Sequence, residues 1–261
     1  MTDWLALCRA AVDDVCRVLL ELPGRSEREP VVGRGMGGDE TTAIDAAAEG
    51  VILARFAGLD ATIVSEEAGV RGDGKTYVVV DPIDGSLNAK RGIGFFSVSI
   101  AVASGPTMGD VDFGFVHDFG TGEEWTATRG DGARLNGASL EGQLPKDEIE
   151  ILSFEATRTA AVAEQAAAVV DLAYRLRIMG SLALSLCHLA AGRVDAVCSL
   201  KPARAVDIAA AQLLVRERGL AIDLFDAPPF GAAPLDLEGR SRVVAAGTPE
   251  LCRKLASALS A

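Results

Sequence analysis

The segment Tyr77-Val-Val-Val-Asp-Pro-Ile-Asp-Gly-Ser-Leu-Asn88 decides how this chain folds and which chemistry it can support. Its apolar run predicts a buried strand that ends at Asp81, because Pro82 cannot donate a backbone hydrogen bond to a neighbouring strand. The Gly-Ser pair that follows predicts a turn or a short helix. The carboxylates of Asp81 and Asp84 should therefore converge just beyond the end of the strand.

The atoms offered by this segment suit a hard cation and a phosphate. Mg²⁺ prefers oxygen ligands in near-octahedral geometry, and Asp81, Asp84 and the carbonyl of Ile83 supply such oxygens. The backbone amides of Gly85 and Ser86, exposed at a helix start, would meet a phosphate. An isolated motif of this kind is more often a solvated turn, so its interpretation depends on what accompanies it.

Further acidic residues accompany the motif. Glu66 and Glu67 end a short strand, and without a cation their charges would repel each other by about 1 kcal/mol or more at contact. Asp45 and Asp207 each lie in the first turn of a predicted helix, with Glu49 one turn after Asp45. The alternatives are exposed acids for the pair, compensation of the helix dipole for Asp207, and a solvated helix start for Asp45 and Glu49. For Glu49 we prefer the solvated helix start.

The composition excludes several classes of protein. Lys and Arg number 25 against 37 Asp and Glu, a net charge of −12, which disfavours nucleic-acid binding because a polyanion needs a basic surface. The five cysteines show no metal-site or disulfide spacing, and the N-terminal residues do not resemble a signal peptide, so we expect a cytoplasmic protein. The longest uncharged stretch, from Gly92 to Gly109, alternates like a strand and is not expected to span a membrane.

The pattern of predicted elements changes near residues 137 to 150. Before it, helices at 3 to 22 and about 44 to 56 precede strands at 61 to 65, 76 to 81, 95 to 103, 111 to 117 and 123 to 128. After it, helices at 158 to 171, 181 to 191, 205 to 218 and 248 to 260 alternate with strands near 150 to 154, 174 to 178, 194 to 198, 220 to 224 and 242 to 246. We therefore predict an N-terminal α+β domain, residues 1 to 147, with a mostly antiparallel sheet, and a C-terminal α/β domain, residues 148 to 261.

Taken together, the segments DPIDGS, VSEEAG and AVDIAA, in this order, resemble the inositol monophosphatase and fructose-1,6-bisphosphatase superfamily. The resemblance covers residues 35 to about 247. The stretches GRGMGGDETT and NAKRGIGFFSVS are most similar to its archaeal-type branch, whose members often have both activities. The resemblance implies an α/β layered sandwich with the site between the two domains. It also implies a homodimer.

The same resemblance implies roles for particular positions. Glu66, Asp81, the Ile83 carbonyl, Asp84 and Asp207 match metal ligands, with Glu67 close by, for two or three Mg²⁺ ions. Asp45 and Ser86 match the pair that orients and deprotonates the attacking water, and the Gly85 and Ser86 amides match the phosphate contacts. Arg177, Gly180 and Ser181 match the stretch that lines the ring of the substrate.

Two departures from the family pattern bear on the substrate. The usual Trp before the second-domain Asp is Val206, and the acid that inositol-specific members place seven residues before that Asp is Leu200. Lys201 and Arg204 could instead hold a second phosphate. We therefore expect a Mg²⁺-dependent phosphomonoesterase acting on a small molecule, inositol 1-phosphate, fructose 1,6-bisphosphate or both.

Three alternatives remain open at this stage. A 3′(2′),5′-bisphosphate nucleotidase would use the same motifs. A non-catalytic binding protein would keep the fold alone, although the intact acidic residues speak against it. The motif Gly33-Arg-Gly-Met-Gly-Gly38 satisfies the G-x-G-x-x-G pattern of an NAD-binding oxidoreductase, but the strand before it is short and nearby acids would face the pyrophosphate.

Overall fold

Two β-sheets and the helices packed on them form the structure, a computed structural model that describes residues 2–142, 144–146, 148–155, 158–224, 226 and 229–260. The helices are α1 (Trp4–Glu21), α2 (Arg25–Arg28), α3 (Ala43–Phe56), α4 (Ser86–Arg91), α5 (Thr159–Ala166), α6 (Leu182–Ala190), α7 (Ala205–Glu217) and α8 (Pro249–Ser260). The strands are β1 (Val31–Arg34), β2 (Glu40–Thr42), β3 (Ala61–Ser65), β4 (Gly69–Arg71), β5 (Thr76–Asp84), β6 (Ser97–Ala103), β7 (Val111–Asp118), β8 (Glu124–Thr128), β9 (Gly132–Leu135), β10 (Ala138–Ser139), β11 (Ile149–Glu155), β12 (Ala173–Arg177), β13 (Ala196–Ser199), β14 (Ala221–Leu224) and β15 (Val243–Ala246).

The larger sheet has the strand order β10-β9-β8-β7-β6-β5-β3-β4, and the smaller has the order β12-β11-β13-β15-β14. In the larger sheet the described pairings are antiparallel except for β3 with β5, as the sequence predicted. In the smaller sheet β11 runs parallel to both of its neighbours. A separate hairpin joins β1 to β2.

Helices and sheets alternate in layers, which confirms the predicted layered sandwich. The helices α1 and α3 cover one face of the larger sheet, where Ile52, Val80 and Phe115 are buried together. The helices α6 and α7 fill the space between the two sheets. The helix α8 covers the outer face of the smaller sheet. Each sheet therefore buries both faces, and α7 reaches the larger sheet from the half of the chain that forms the smaller one.

The strand β5 does not end at Asp81 as predicted, but continues through Pro82 to Asp84. Its pairing with β6 is regular up to Asp81 opposite Ser99 and resumes at Asp84 opposite Ser97. The irregularity contains Pro82, which has no backbone donor to lose there. The two carboxylates therefore lie on either side of an irregularity within the strand, and not beyond its end as predicted.

The glycine-rich segment forms the hairpin β1–β2, which the sequence did not predict. The chain passes from β1 through a turn into β2, and α3 begins only after β2. A dinucleotide fingerprint needs a strand that leads directly through its glycines into a helix. The arrangement of Gly33 to Gly38 therefore does not support the NAD-binding alternative.

The predicted boundary between residues 147 and 148 stays a prediction, and residue 147 lies outside the described residues. One hydrophobic core includes Val79 and Val116 from the first half together with Val197 and Val243 from the second. The two halves thus share apolar packing through α6 and α7. Within the described ranges, we find no helix that is both long enough and apolar enough to cross a lipid bilayer.

Gly114 allows α7 to approach the larger sheet, and we expect Gly114→Ala to destabilise the protein by about 1–3 kcal/mol. A methyl group there would lie 2.5 Å from the carbonyl oxygen of Ala210 in α7. As a control, Gly50→Ala adds a methyl group to α3 with nothing within 4 Å, and should stabilise by about 0.5–1 kcal/mol. Urea unfolding of both variants measures the difference, and equal stabilities would contradict the close-packing explanation.

Candidate functional site

A cavity of about 280 Å³ lies where the ends of β3, β5 and β11 approach the first turns of α3 and α7. We call it the acidic cavity, because most of the charged side chains that line it are carboxylates. These are Asp39, Glu40, Asp45, Glu66, Glu67, Asp81, Asp84, Glu155 and Asp207, and the cations are Lys90, Lys201 and Arg204. A surface of this kind repels a phosphate unless positive charge is brought to it.

The end of β5 places Asp81 and Asp84 deep in this cavity. Their exposed fractions are 2% and 9%. Burial, with the nearby charges of Glu66 and Asp84, raises the pKa of Asp81 well above its ordinary value. Burial also raises the pKa of Asp84 to about 7, although Asp84 accepts a hydrogen bond of 2.5 Å from the Ser181 hydroxyl. The raised pKa values of both groups are those expected of carboxylic acids that lie close to other acids and are poorly solvated.

Glu66 and Glu67 follow β3 in a turn that is anchored by Glu49. One oxygen of Glu49 accepts hydrogen bonds from the Ser65 hydroxyl and from the backbone amides of Glu67 and Ala68, at 2.5, 3.0 and 2.9 Å. Burial raises the pKa of Glu66 to about 7. Glu49 therefore has a positioning role for the pair, and the solvated helix start preferred from the sequence is wrong for it, because Glu49 is buried.

Asp45 and Asp207 occupy equivalent positions at the starts of α3 and α7. One oxygen of Asp45 accepts from the Thr42 amide and hydroxyl, at 3.2 and 2.5 Å. One oxygen of Asp207 accepts from the Arg204 amide at 2.6 Å. Each acid thus uses one oxygen as a helix cap, and in Asp207 the second oxygen accepts from the Arg204 guanidinium at 3.1 Å. In Asp45 the second oxygen is buried with no hydrogen-bond partner among the described residues.

Arg204 lies among these acids with only 5% of its side chain exposed. Its Nη2 is 2.5 Å from Glu66 Oε1 and 3.1 Å from Asp207 Oδ1, and its Nη1 is 3.6 Å from Asp39 Oδ2. Burial works to lower the pKa of Arg204, but the charges of Asp207 and Glu66 outweigh it and raise the pKa above its ordinary value. The guanidinium is therefore a fixed positive charge that contacts an acid from each half of the chain, Glu66 and Asp207.

The turn from β5 into α4 also lines the cavity, through Gly85 and Ser86. Gly85 has φ +92°, and a Cβ there would lie 3.0 Å from the Phe95 carbonyl and 3.1 Å from the Gly180 carbonyl, so glycine is required on both counts. The Ser86 hydroxyl donates to the Ile83 carbonyl at 2.9 Å. Asn88 donates to the Phe95 and Met179 carbonyls, which ties α4 to the second half of the chain.

Glu155, at the end of β11, organises the segment that follows β12. Its carboxylate accepts from the Gly180 amide at 2.8 Å and from the Ser185 hydroxyl at 2.8 Å. Gly180 precedes Ser181, whose hydroxyl contacts Asp84. Glu155, in the second half of the chain, thereby helps to hold Ser181 in contact with Asp84, in the first half.

Most of the predicted site residues line this one cavity. They are Asp45, Glu66, Glu67, Asp81, Ile83, Asp84, Gly85, Ser86, Gly180, Lys201, Arg204 and Asp207. Ser181 lies just behind it, buried against Asp84. Arg177 is not among the residues that line the cavity; it is exposed and its guanidinium donates to the neighbouring Leu176 carbonyl. The contact that the resemblance implies between Ser86 and Asp45 is not among the described hydrogen bonds, which join those residues to Ile83 and Thr42.

Lys90 and Glu155 are among the residues that line the cavity and were not singled out by the sequence analysis. Lys90 lies on α4, one turn after Ser86, with its Nζ 3.8 Å from Asp45 Oδ2. The spacing of four residues in a helix could have revealed it. Glu155 ends a strand beside the cavity, but nothing in the local sequence distinguishes it from a solvated acid.

The donor set fits a divalent cation in its chemistry. Glu66, Asp81, Asp84 and Asp207 offer oxygens only, which hard cations prefer. The raised pKa values of the first three arise from burial and shared negative charge, which a cation would relieve. Across the described residues, however, no three acidic, histidine or cysteine side chains already converge in the geometry of a metal site.

The chain is similar to known proteins over nearly its whole length. The model of the inositol monophosphatase family matches residues 9–261. A fructose-1,6-bisphosphatase/inositol-1-monophosphatase of Methanothermobacter thermautotrophicus is 32% identical over 271 aligned residues, which cover 98% of this chain and 96% of the relative. The Nus factor SuhB of Pasteurella multocida is 38% identical over 191 aligned residues, which cover 69% and 70% of the two chains.

A solved structure shares the whole fold. The crystal structure of a gene product described as inositol monophosphatase-fructose 1,6 bisphosphatase superposes with a TM-score of 0.86. It is 28% identical in sequence, and the match covers 99% of this chain and 100% of the other. The similarity therefore extends over both sheets and the cavity between them.

Proposed function

This chain belongs to the inositol monophosphatase family, and from that premise we propose that it hydrolyses phosphomonoesters of sugars or polyols with Mg²⁺ as the cofactor. The proposed substrates are inositol 1-phosphate, fructose 1,6-bisphosphate or both. The observation that carries the proposal is the acidic cavity, which carboxylates at the ends of β3 and β5 and in the first turn of α7 line together with the Gly85–Ser86 turn.

The cofactor would be held by Glu66, Asp81, Asp84, Asp207 and the Ile83 carbonyl, with Glu67 close by, and we propose two or three ions. When bound, divalent ions neutralise the carboxylates, attract the phosphate oxygens and make a water easier to deprotonate. The chain itself contributes the fixed positions of these oxygens. Ser181 and the Ala183 amide hold Asp84 by hydrogen bonds of 2.5 and 2.7 Å, and the Ile83 amide holds Asp81 at 3.1 Å.

The proposed proton acceptor is Asp45. Asp45 lines the cavity, and its Oδ1 is buried with no hydrogen-bond partner among the described residues, while its other oxygen accepts from Thr42. Ser86 and the amide of Gly85 face the same space and would orient the water and the phosphate. Attack in line on phosphorus then needs no covalent enzyme intermediate. Neither histidine lines the cavity, so the leaving group would take its proton from water.

The substrate side of the cavity is proposed from two of the cations that line it. Lys201 and Arg204 supply positive charge for a second phosphate, and Gly180 and Ser181 contribute the ring side. Arg177 lies outside the cavity, and its guanidinium donates to the Leu176 carbonyl, a contact that does not support the role implied by the resemblance. The presence of two basic residues near Leu200 supports a bisphosphate or a broad range of substrates.

Phosphate release with and without Mg²⁺ tests the proposal directly. We expect release from fructose 1,6-bisphosphate or inositol 1-phosphate in the presence of Mg²⁺, and a fall of at least about 100-fold in excess EDTA, because the carboxylates alone repel the substrate. One preparation should be assayed with both substrates and with 3′-phosphoadenosine 5′-phosphate. Absence of metal-dependent release from all three would contradict the proposed activity.

The same assay separates the alternatives. Preferred turnover of 3′-phosphoadenosine 5′-phosphate would favour the nucleotidase, and metal binding without turnover would favour a binding protein. Binding of NAD(H) without phosphate release would favour the oxidoreductase. The hairpin formed by Gly33 to Gly38 argues against the last of these.

The assembly and location of the chain are also proposals. We propose a cytoplasmic homodimer of two-domain subunits divided near residue 147. All five cysteines are free, which suits a reducing compartment. The apolar side chains of Val31, Val32, Met36 and Val70 are each more than half exposed, around the hairpin and β4, and they offer one candidate surface for the partner subunit.

A further inference from the structure

A positively charged side chain already lies where the proposed metal ligands meet. The Nη2 atom of Arg204 is within 3.1 Å of both Glu66 Oε1 and Asp207 Oδ1, two of the oxygens assigned to the cofactor. An oxygen that accepts a short hydrogen bond from a guanidinium presents the same lone pair that a cation would use. Arg204 and the cofactor therefore need the same atoms.

The place of the guanidinium is built into the fold. Arg204 caps α7, and its Nη1 packs against the turn of the β1–β2 hairpin, where a Cβ at Gly37 would lie only 2.6 Å away. This Nη1 atom is buried with no hydrogen-bond partner in the described part of the chain. A buried donor without a partner has a cost, which the contacts of Nη2 must outweigh. The position of the Arg204 guanidinium is thus determined by its ion pairs with the acids, since its Nη1 atom has no hydrogen bond among the described residues.

We infer that Arg204 is the internal counter-ion of the acidic cavity, which holds Glu66 and Asp207 together in the metal-free protein and is displaced when the cofactor binds. The inference rests on the proposed function, because it assumes that these acids bind Mg²⁺. Displacement leaves the guanidinium at the edge of the same cavity, beside Lys201, where it is available to a substrate phosphate. One side chain thereby links the metal-free and the substrate-bound states.

Thermodynamic linkage gives the inference two consequences that must occur together. Removal of the guanidinium should destabilise the metal-free protein, because the buried acids lose their counter-ion. The metal-bound protein should lose less, because its acids are neutralised by the ions. The free energy lost by the metal-free state therefore reappears as tighter metal binding.

The test compares Arg204→Met with the wild type by titration calorimetry with Mg²⁺ and by thermal unfolding in EDTA and in saturating Mg²⁺. We expect the Kd for Mg²⁺ to fall by at least about tenfold. In EDTA the melting temperature should fall by about 3 to 6 °C, the shift that such a factor produces in a chain of this size. In saturating Mg²⁺ the loss should be much smaller.

A matched control is available at Arg240, whose Nη2 donates to the Gly37 carbonyl at 2.5 Å. Arg240→Met removes a cation that contacts the same hairpin and leaves the contacts of Glu66 and Asp207 in place. The Kd of this variant for Mg²⁺ should therefore stay within about twofold of the wild type. If Arg204→Met does not fold in EDTA, Arg204→Lys supplies that comparison, with smaller changes of the same sign.

The outcomes distinguish the inference from the proposed function. An unchanged or weaker Mg²⁺ affinity in Arg204→Met, with equal losses of stability in EDTA and Mg²⁺, would overturn the counter-ion role and leave the phosphatase intact. Absence of Mg²⁺ binding to the wild type would overturn the proposed function, and this inference with it.

Discussion

Asp81→Asn should reduce phosphate release in saturating Mg²⁺ by at least about 10³-fold, equivalent to about 4 kcal/mol of lost transition-state stabilisation. The substitution keeps the size and shape of the side chain but exchanges a carboxylate for a neutral amide. Asp81 is 2% exposed and lines the acidic cavity, so solvent screens the lost charge only weakly. Steady-state assay of phosphate release at saturating substrate measures the effect.

The stability of the same variant should change in the opposite direction. Burial of the carboxylate raises the pKa of Asp81, which means that its charge is disfavoured in the folded protein. Asparagine removes that charge and can still accept the hydrogen bond from the Ile83 amide. We therefore expect Asp81→Asn to melt at an equal or higher temperature than the wild type in EDTA, and to show no additional stabilisation by Mg²⁺.

Asp195→Asn provides the matched control, because Asp195 is also buried but serves only the backbone. Its two oxygens accept from the amides of Lys146, Glu150 and Ile151. An asparagine cannot accept on both sides, so this variant should lose stability and keep its activity per folded molecule. Undiminished hydrolysis by Asp81→Asn would remove the basis of the proposed metal site.

The layered fold could be predicted because most of the helices and strands have a recognisable local pattern of apolar residues and turn residues. The strand Ala61–Ser65 has the predicted bounds, and the helices α1, α3 and α7 begin and end within two residues of theirs. The hairpin β1–β2 could not be predicted in this way. Its residues Val31 and Val32 are exposed, so they lack the alternation that burial imposes on a strand.

The site could be predicted to the level of its acids, but not to the level of its contacts. Asp81 and Asp84 are neighbours in sequence, and Glu66 and Asp207 were added through the family motifs. The position of Arg204 depends on how α7 docks against the β1–β2 hairpin, more than 160 residues away in the chain. The same limitation applies to Glu155, whose role depends on the course of the segment around Gly180. Long-range packing of this kind leaves no local pattern.

Asp45→Asn should lower kcat by a factor of about 10² to 10⁴, the usual contribution of a positioned proton acceptor. The asparagine oxygen can accept from the Thr42 amide and hydroxyl, so the cap of α3 is retained. What is lost is the negative charge of the carboxylate, whose Oδ1 has no hydrogen-bond partner among the described residues. Because Asp45 lies outside the proposed metal ligands, the Kd for Mg²⁺ should change by less than about threefold, which separates proton transfer from metal binding.

The chain contains a close structural match for this control. Asp110 accepts from the Thr107 amide and hydroxyl, at 2.9 and 2.7 Å, in the same Thr-x-x-Asp arrangement, but it lies outside the acidic cavity. Asp110→Asn therefore removes a capping charge without removing the proposed base, and should leave kcat within about twofold of the wild type. If both variants lost activity equally, the effect of Asp45 would be one of helix capping. A loss confined to Asp45→Asn, with Mg²⁺ affinity preserved, would assign the proton transfer to Asp45.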